Sequence, residues 1–144
     1  MFKRIKSLAI LLVGLIFLII GQPVMAQEEK SNIGEVTPMA YQYLFDCSSL
    51  YTLNGTSIGA SGTTQTYTNV SKITTTVYLD KKTSSGWTAV TSWTSSVTNN
   101  SYSTTSGSYK GTPGTTYRVR CLHRADNGTL SEMNTSYTSS FTVN

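Results

Sequence analysis

The sequence has little of the chemistry that catalysis and metal binding require. It contains one histidine and two cysteines in 144 residues, which is too few for a zinc ligand set with paired spacings. His123 shares a strand parity with Cys121, but Cβ atoms two residues apart on a strand are separated by about 7 Å, too far for a nucleophile and its base. The pattern therefore predicts a non-enzymatic protein with no metal and no cofactor.

Paired carboxylates of the glycosidase type are also missing. The acidic residues of the main domain fall mostly at predicted strand ends or turns, where carboxylates are normally solvated; they are Asp46, Asp80, Asp126 and Glu132. The many serines lack the strained elbow and the base that a hydrolase needs.

The chain has one long apolar run, and it lies at the N-terminus. Basic residues precede 13 apolar residues at positions 8–20, a run long enough for an export signal and short for a membrane-spanning helix. Val24 and Ala26 then supply small residues at the −3 and −1 positions of a cleavage site. We expect residues 1–26 to be a signal peptide that is removed before Gln27. The alternative is an uncleaved membrane anchor.

Other sorting signals are lacking after the cut. No cysteine follows it directly, which argues against a lipoprotein, and the C-terminus shows neither an LPxTG-like motif nor a second apolar run. We therefore expect a secreted, extracellular protein with no stable membrane anchor after signal cleavage.

An excess of charge of one sign is also lacking once the signal is removed. Residues 27–144 contain eight Lys and Arg against seven Asp and Glu, a net charge of +1 compared with +4 for the whole chain. A nucleic-acid-binding domain concentrates positive charge on one face of a clearly basic domain. Nucleic acid is therefore not an expected partner.

Serine, threonine and tyrosine are abundant instead. Serine and threonine supply 43 of the 118 residues after the cut, which also contain nine tyrosines, and no stretch reads as an amphipathic helix. A disordered Ser/Thr tract is one reading of this composition, but two-residue alternation after residue 40 favours strands. Residues 27–40 are predicted to be a polar, flexible lead-in to one domain at 41–144.

The alternation predicts seven antiparallel strands separated by polar turns. The strands are expected near 41–53, 57–68, 73–79, 87–93, 101–109, 117–124 and 133–143. In the first strand, one parity carries Tyr41, Tyr43, Phe45, Cys47, Tyr51 and Leu53. Short strands at this spacing are typical of an antiparallel β-sandwich, so the fold class is all-β with a single sandwich domain.

Two segments carry a resemblance to a known family. Residues 112–121, TPGTTYRVRC, followed by an Asn-Gly turn and a final strand, resemble the F–G half of a fibronectin type III domain. Residues 73–90, with the late Trp87, are similar to its C–C′ hairpin, although strand B lacks a core tryptophan. The resemblance covers residues 70–144 and implies a fibronectin-like or immunoglobulin-like sandwich. The layout is also similar to small uncharacterised secreted proteins of Gram-positive bacteria, which implies an address but no ligand.

The two cysteines lie on the inward faces of their predicted strands. Exported proteins meet an oxidising environment, and a bond between Cys47 and Cys121 would close a loop of 75 residues. Such a bond stabilises by about 4.5 kcal/mol in the chain-entropy model. We therefore predict a Cys47–Cys121 disulfide, with two buried free thiols as the alternative.

One surface feature predicts a binding site, which we call the basic stripe. Its members face outward on two neighbouring strands of the predicted sheet; they are Lys72, Tyr78, Arg118, Arg120 and Arg124. Positive charge beside an aromatic ring suits anionic polymers such as teichoic acids or acidic glycans. The alternative is a solvated face that discourages edge pairing. Trp87 and Trp93 are either sugar-stacking rings or core residues.

These observations predict a secreted, non-enzymatic binding module. Its expected partner is an anionic cell-wall polymer, a glycan or a surface protein. The alternative function is a secreted bacteriocin-like or toxin-like effector that acts on the envelopes of other cells. The sequence leaves the oligomeric state open.

Overall fold

The computed structural model describes residues 41–144. The predicted signal peptide (1–26) and lead-in (27–40) lie outside the described residues. The described part is built from strands, which confirms the all-β class: β1 (Leu44–Asn54), β2 (Ser57–Thr83), β3 (Gly86–Lys110), β4 (Thr116–Asp126), β5 (Ser131–Tyr137) and β6 (Phe141–Thr142). None of these residues forms a helix that is long and apolar enough to span a membrane.

The described residues contain six strands rather than the predicted seven, because predicted neighbours are continuous. The segments 57–68 and 73–79 both belong to β2, and 87–93 and 101–109 both belong to β3. Neither β2 nor β3 contains a proline, so every residue keeps the N–H that strand pairing needs. Both strands can therefore continue through the predicted breaks, and they bend there. At the C-terminus the final predicted strand is divided into β5 and β6.

Two of the hairpin turns have glycine directly after asparagine. Gly55, between β1 and β2, has a φ of 57°, and Gly128, between β4 and β5, has a φ of 97°. These left-handed conformations are accessible to glycine at no steric cost. The Asn127 side chain completes the second turn, because its Oδ1 accepts hydrogen bonds from the backbone N–H groups of Thr129 (2.9 Å) and Leu130 (2.8 Å).

The antiparallel sheet bends so that its two halves face each other. The first half comprises β1 with residues 57–65 of β2 and 102–110 of β3. The second half comprises the rest of β2 and β3, from 70 to 100, together with β4, β5 and β6. A Cβ added to Gly62 in the first half would lie 2.8 Å from Val77 Cγ2 in the second. This close approach admits only glycine.

Two groups of buried side chains fill the space between the halves. The larger group contains Ile58, Ala60, Val77, Leu79, Tyr117, Val119, Cys121, Phe141 and Val143. The smaller group contains Leu44, Val70, Ile73 and Ala125. The inward parity predicted for β4 and the centre of β2 is therefore correct. Because side chains alternate along a strand, the remaining residues of these strands face outward.

The parity predicted for the start of β1 is wrong. The alternation predicts Phe45 on the same side as Cys47, yet Phe45 is 61% exposed, whereas Leu44 is buried. The register between β1 and β2 shifts between Leu44 and Asp46, and such a bulge reverses the alternation.

The predicted Cys47–Cys121 disulfide is not found, because both cysteines are free thiols. Cys121 belongs to the larger buried group, while Cys47 packs against the smaller one. Desolvation by burial raises the pKa of Cys121 to about 12 and that of Cys47 to about 11. Both thiols are therefore protonated near neutral pH and behave as small apolar side chains.

Candidate ligand-binding face

The outward face of the second half carries all five residues of the basic stripe. In the antiparallel pair of β2 and β4, Arg120 is opposite Tyr78, and Lys72 is opposite Asp126. Partners in such a pair project to the same side of the sheet. Sequence alternation alone places these side chains outward, and the register adds which residues are neighbours.

The basic stripe is divided into two groups by uncharged side chains. Thr76 lies opposite Leu122 at the middle of the β2–β4 pair. On the other side of β2, hydroxyl groups pair across to β3: Thr76 Oγ1 lies 3.0 Å from Thr94 Oγ1, and Thr74 Oγ1 lies 3.0 Å from Ser96 Oγ. One end of the face therefore carries the Arg118–Arg120 group, and the other carries Lys72 and Arg124.

A buried carboxylate organises the first group. Asp80 Oδ2 accepts hydrogen bonds from Arg120 Nε at 3.0 Å and Arg118 Nε at 3.4 Å, and its Oδ1 accepts one from Arg120 Nη2 at 3.2 Å. The Asp80 side chain is only 3% exposed. The hydrogen bond to Asp80 raises the pKa of Arg120 further above its ordinary value. The prediction that Asp80 is solvated is therefore wrong, since two arginines cover it.

Aromatic rings hold the same guanidinium groups. Arg118 Cζ lies 4.4 Å from the centre of the Trp87 ring and 4.7 Å from that of Tyr137, while Arg120 Cζ lies 4.0 Å from that of Tyr78. All three distances are within the range of cation–π attraction. We call this group the arginine–aromatic cluster; its members are Tyr78, Asp80, Trp87, Arg118, Arg120 and Tyr137.

The two tryptophans have different roles. Trp87 lies on the outer face, where Lys82 Nζ also approaches its ring, at 5.1 Å from the centre. Trp93 packs against the larger buried group and over Gly107, where its ring occupies the space that a Cβ would need. Sequence reasoning left both rings open, because a tryptophan suits either a core or an exposed face.

The face keeps a net positive charge after its ion pairs are counted. Five cations lie on it (Lys72, Lys82, Arg118, Arg120 and Arg124) against the two carboxylates Asp80 and Asp126, a difference of +3. Arg118 and Arg120 remain 25% and 28% exposed. Among the described residues, the terminal nitrogens of Arg118 have no hydrogen-bond partner. They are available to donate to an anion.

In the second group of the basic stripe, Arg124 forms a bidentate ion pair with Asp126 at the surface. Arg124 Nε lies 3.0 Å from Asp126 Oδ2, and Arg124 is 50% exposed. The hydrogen bond from Arg124 lowers the pKa of Asp126. Such exposed pairs usually contribute less than about 1 kcal/mol, so Arg124 exchanges partners more readily than Arg120 does.

The lone histidine lies on the inward side, in a buried polar network. His123 Nδ1 lies 2.7 Å from Thr64 Oγ1, and its Nε2 lies 2.8 Å from Ser136 Oγ. Thr64 Oγ1 also lies 2.7 Å from Thr75 Oγ1. Cys121 Sγ lies 3.7 Å from His123 Nδ1, so the prediction that these two side chains are too far apart to interact is wrong, although burial keeps the thiol protonated near neutral pH. His123 is fully buried, and desolvation lowers its pKa to about 4. The network links the two halves of the sheet.

Comparisons with known proteins give a family but no activity. The model of a family of unknown function (DUF6147) matches residues 26–140. No curated protein matches the chain. Among solved structures, the solution structure of CsgH from R. palustris is similar with a TM-score of 0.39 and 11% sequence identity, covering 62% of this chain and 88% of CsgH. Values this low carry no conclusion about function.

Proposed function

The chain belongs to the family of unknown function DUF6147, and we propose that it is a secreted, non-enzymatic module that binds an anionic cell-surface polymer. The proposal rests on one observation: the guanidinium group of Arg118 contacts the rings of Trp87 and Tyr137. The rings and Asp80 order this side chain before a ligand arrives, which lowers the entropy cost of binding. Its terminal nitrogens suit the oxygens of phosphate or carboxylate groups.

A polymer fits the face better than a single small anion. Arg118 and Arg124 lie six residues apart on β4, which corresponds to about 20 Å at the rise of an antiparallel strand. A small anion reaches one group of cations. An extended chain with repeated negative charges reaches both, so that the second contact is intramolecular and raises the overall affinity.

The proposal includes the finer architecture, a seven-strand sandwich of the fibronectin type III or immunoglobulin kind. Its support is the pairing pattern: β2 pairs with β1 through its first part and with β4 through its second. If β2 and β3 each supply two strand positions, and β5 and β6 are counted as one strand, the first half has three strands and the second has four. Secretion is a further part of the proposal. It rests on the signal pattern of residues 1–26, which lie outside the described residues.

Retention on bacterial walls tests the proposal. We expect the purified protein to bind walls of a Gram-positive bacterium that carry teichoic acids, and to be released as salt rises from 0.1 to 1 M, because the screening length falls from about 10 Å to about 3 Å. Arg118→Gln should weaken retention at least about threefold while Arg120 keeps Asp80 paired. Lys110→Gln is the matched control, since it removes the same charge from an exposed site on the first half.

Two outcomes would contradict the proposal. Retention that survives chemical removal of the teichoic acids would exclude the anionic polymer as the ligand. Equal losses for Arg118→Gln and Lys110→Gln would mean that net charge matters and the arginine–aromatic cluster does not. Growth inhibition of test bacteria at low protein concentration would instead support the bacteriocin-like effector.

A further inference from the structure

The bend beside the first half of the sheet carries a surface cleft whose lining differs chemically from the basic face. An open cleft of about 460 Å³ lies where the sheet bends, directly before the interruption of the β2–β3 register after Gln65. We call it the aromatic cleft; its lining residues are Phe45, Gln65, Thr66, Tyr67, Ser101 and Tyr102.

Three large rings of the aromatic cleft are exposed. Phe45 is 61% exposed, Tyr67 62% and Tyr102 46%. The rings of Phe45 and Tyr67 touch at a centroid distance of 5.1 Å with an interplanar angle of 58°. Single exposed apolar residues are ordinary, but a group of them rimmed by polar atoms is typical of a binding surface.

Local backbone features hold these rings in place. The bulge between Leu44 and Asp46 turns Phe45 outward, and Gln65 lies opposite Tyr102 across β2 and β3. The side chain of Asn100 fixes the backbone of β3 at the cleft, because its Oδ1 accepts hydrogen bonds from the backbone N–H groups of Ser101 (2.8 Å) and Tyr102 (3.1 Å). The aromatic cleft is therefore positioned by the fold and does not depend on long flexible side chains.

The lining selects the chemistry of the ligand. None of the six lining residues is charged, so an anionic or cationic ligand finds no counter-charge there. The rings offer apolar faces for stacking. The Gln65 amide can both donate and accept, and Ser101 and the tyrosine phenols add hydroxyl groups. A pyranose ring combines an apolar face with hydroxyl groups at its edge, which matches this lining better than a purely apolar chain.

We propose that the aromatic cleft binds pyranose units of a neutral glycan, with sugar faces against Tyr67 and Tyr102 and sugar hydroxyls on the Gln65 amide. This goes beyond the proposed function, because it adds a second ligand that is uncharged and binds away from the basic face. The two sites share no residue.

Titration with neutral oligosaccharides tests the proposal. The probes are the hexamers of β-1,4-linked glucose, β-1,4-linked N-acetylglucosamine and α-1,4-linked glucose. We expect at least one of them to produce saturable NMR shifts in the side-chain amide of Gln65 and the rings of Tyr67 and Tyr102. Tyr102→Ala should weaken that binding at least tenfold. Leu50→Ala is the control, because Leu50 is 65% exposed on β1 and lies outside the cleft. This variant should bind the hexamer as the wild type does.

The variants also separate this site from the basic face. Arg118→Gln should bind the hexamer normally, and Tyr102→Ala should be retained normally on walls. The absence of saturable shifts with all three hexamers would overturn the proposal, as would binding that persists in the folded Tyr67→Ala, Tyr102→Ala double variant. Shifts of the cleft signals with protein concentration alone, together with a dimer in sedimentation, would assign the cleft to a second copy of the chain and overturn it as well.

Discussion

The two halves of the sheet expose aromatic rings in opposite circumstances. In the arginine–aromatic cluster of the second half, guanidinium groups of the protein itself cover the rings of Trp87, Tyr137 and Tyr78. In the aromatic cleft at the bend beside the first half, no cation of residues 41–144 lies over the faces of Phe45, Tyr67 and Tyr102. Exposure of an aromatic ring therefore does not by itself indicate one function. Its neighbours decide whether it supports a charge or offers a free face to a ligand.

The difference has an energetic counterpart. The second half ties its surface together through a carboxylate that is 3% exposed beneath two arginines. Removing one partner of a buried pair leaves an uncompensated charge, which is costly. Among the described residues, those that line the cleft are uncharged, so truncating its exposed rings breaks no ion pair. Substitutions in the arginine–aromatic cluster should therefore lower stability, whereas truncation of the exposed cleft rings should mainly affect binding.

The largest effect should come from Asp80. Asp80→Ala removes the carboxylate that accepts hydrogen bonds from Arg118 and Arg120, whose side chains remain 25% and 28% exposed. We expect the free energy of unfolding to fall by about 1.5–3 kcal/mol, the usual contribution of hydrogen bonds to charged groups. Asp126→Ala is the matched control in the exposed pair with Arg124, where the expected loss is below about 1 kcal/mol. Urea unfolding of both variants measures the difference, and equal losses would contradict the organising role of Asp80.

Acid should act on the link between the halves. The pKa of His123 is lowered from 6.5 to about 4 in the folded protein, so the unfolded chain binds the proton more readily between these values. The contribution of His123 to the free energy of unfolding is therefore fully present above pH 6.5. It is lost as the pH falls toward 4, with a slope of up to about 1.4 kcal/mol per pH unit.

The residues around this histidine sharpen the acid test. Asp46 acts on His123 through charge and opposes the desolvation that lowers its pKa, while Thr64, Ser136 and Cys121 face the ring as neutral groups. Unfolding midpoints measured from pH 7 to pH 4 should show a shallower slope in His123→Gln than in the wild type. Identical slopes would mean that His123 does not titrate on unfolding.

The sequence predicted what depends on local alternation and missed what depends on register. The inward positions of Tyr117, Val119 and Cys121 follow from period-two patterning, and all three are buried. The burial of Asp80 depends instead on its lying opposite Arg118, 38 residues away, and no local pattern encodes that distance. On β2, Asp80 is followed by charged residues, a pattern that resembles the end of a strand.

The bends and the bulge were equally hidden from sequence reasoning. The alternation predicts a break at residues 69–72, between the strands 57–68 and 73–79, but these residues continue β2. Alternation is interrupted there because the three successive residues 67–69 are all exposed. The bulge after Leu44 reversed the side of Phe45, which is why a principal ring of the cleft was assigned to the core. The inward sides of the cysteines followed from parity, but a disulfide requires a specific separation of the two Cα atoms, and that separation depends on how the halves pack.

The smallest effects compare one ring from each half directly. Trp87→Ala removes the ring over which Arg118 and Lys82 lie, and we expect a loss of about 1 kcal/mol of unfolding free energy from the cation–π contacts. Tyr102→Ala removes a ring that is 46% exposed and has no cation over it, and its effect on stability should stay within about 0.5 kcal/mol. Urea unfolding at low and high salt separates the cases, because the two variants change no formal charge and differ only in the contacts of the ring. If Tyr102→Ala proves the more destabilising variant, the cleft ring is part of the packing and the distinction between supporting and free rings is wrong.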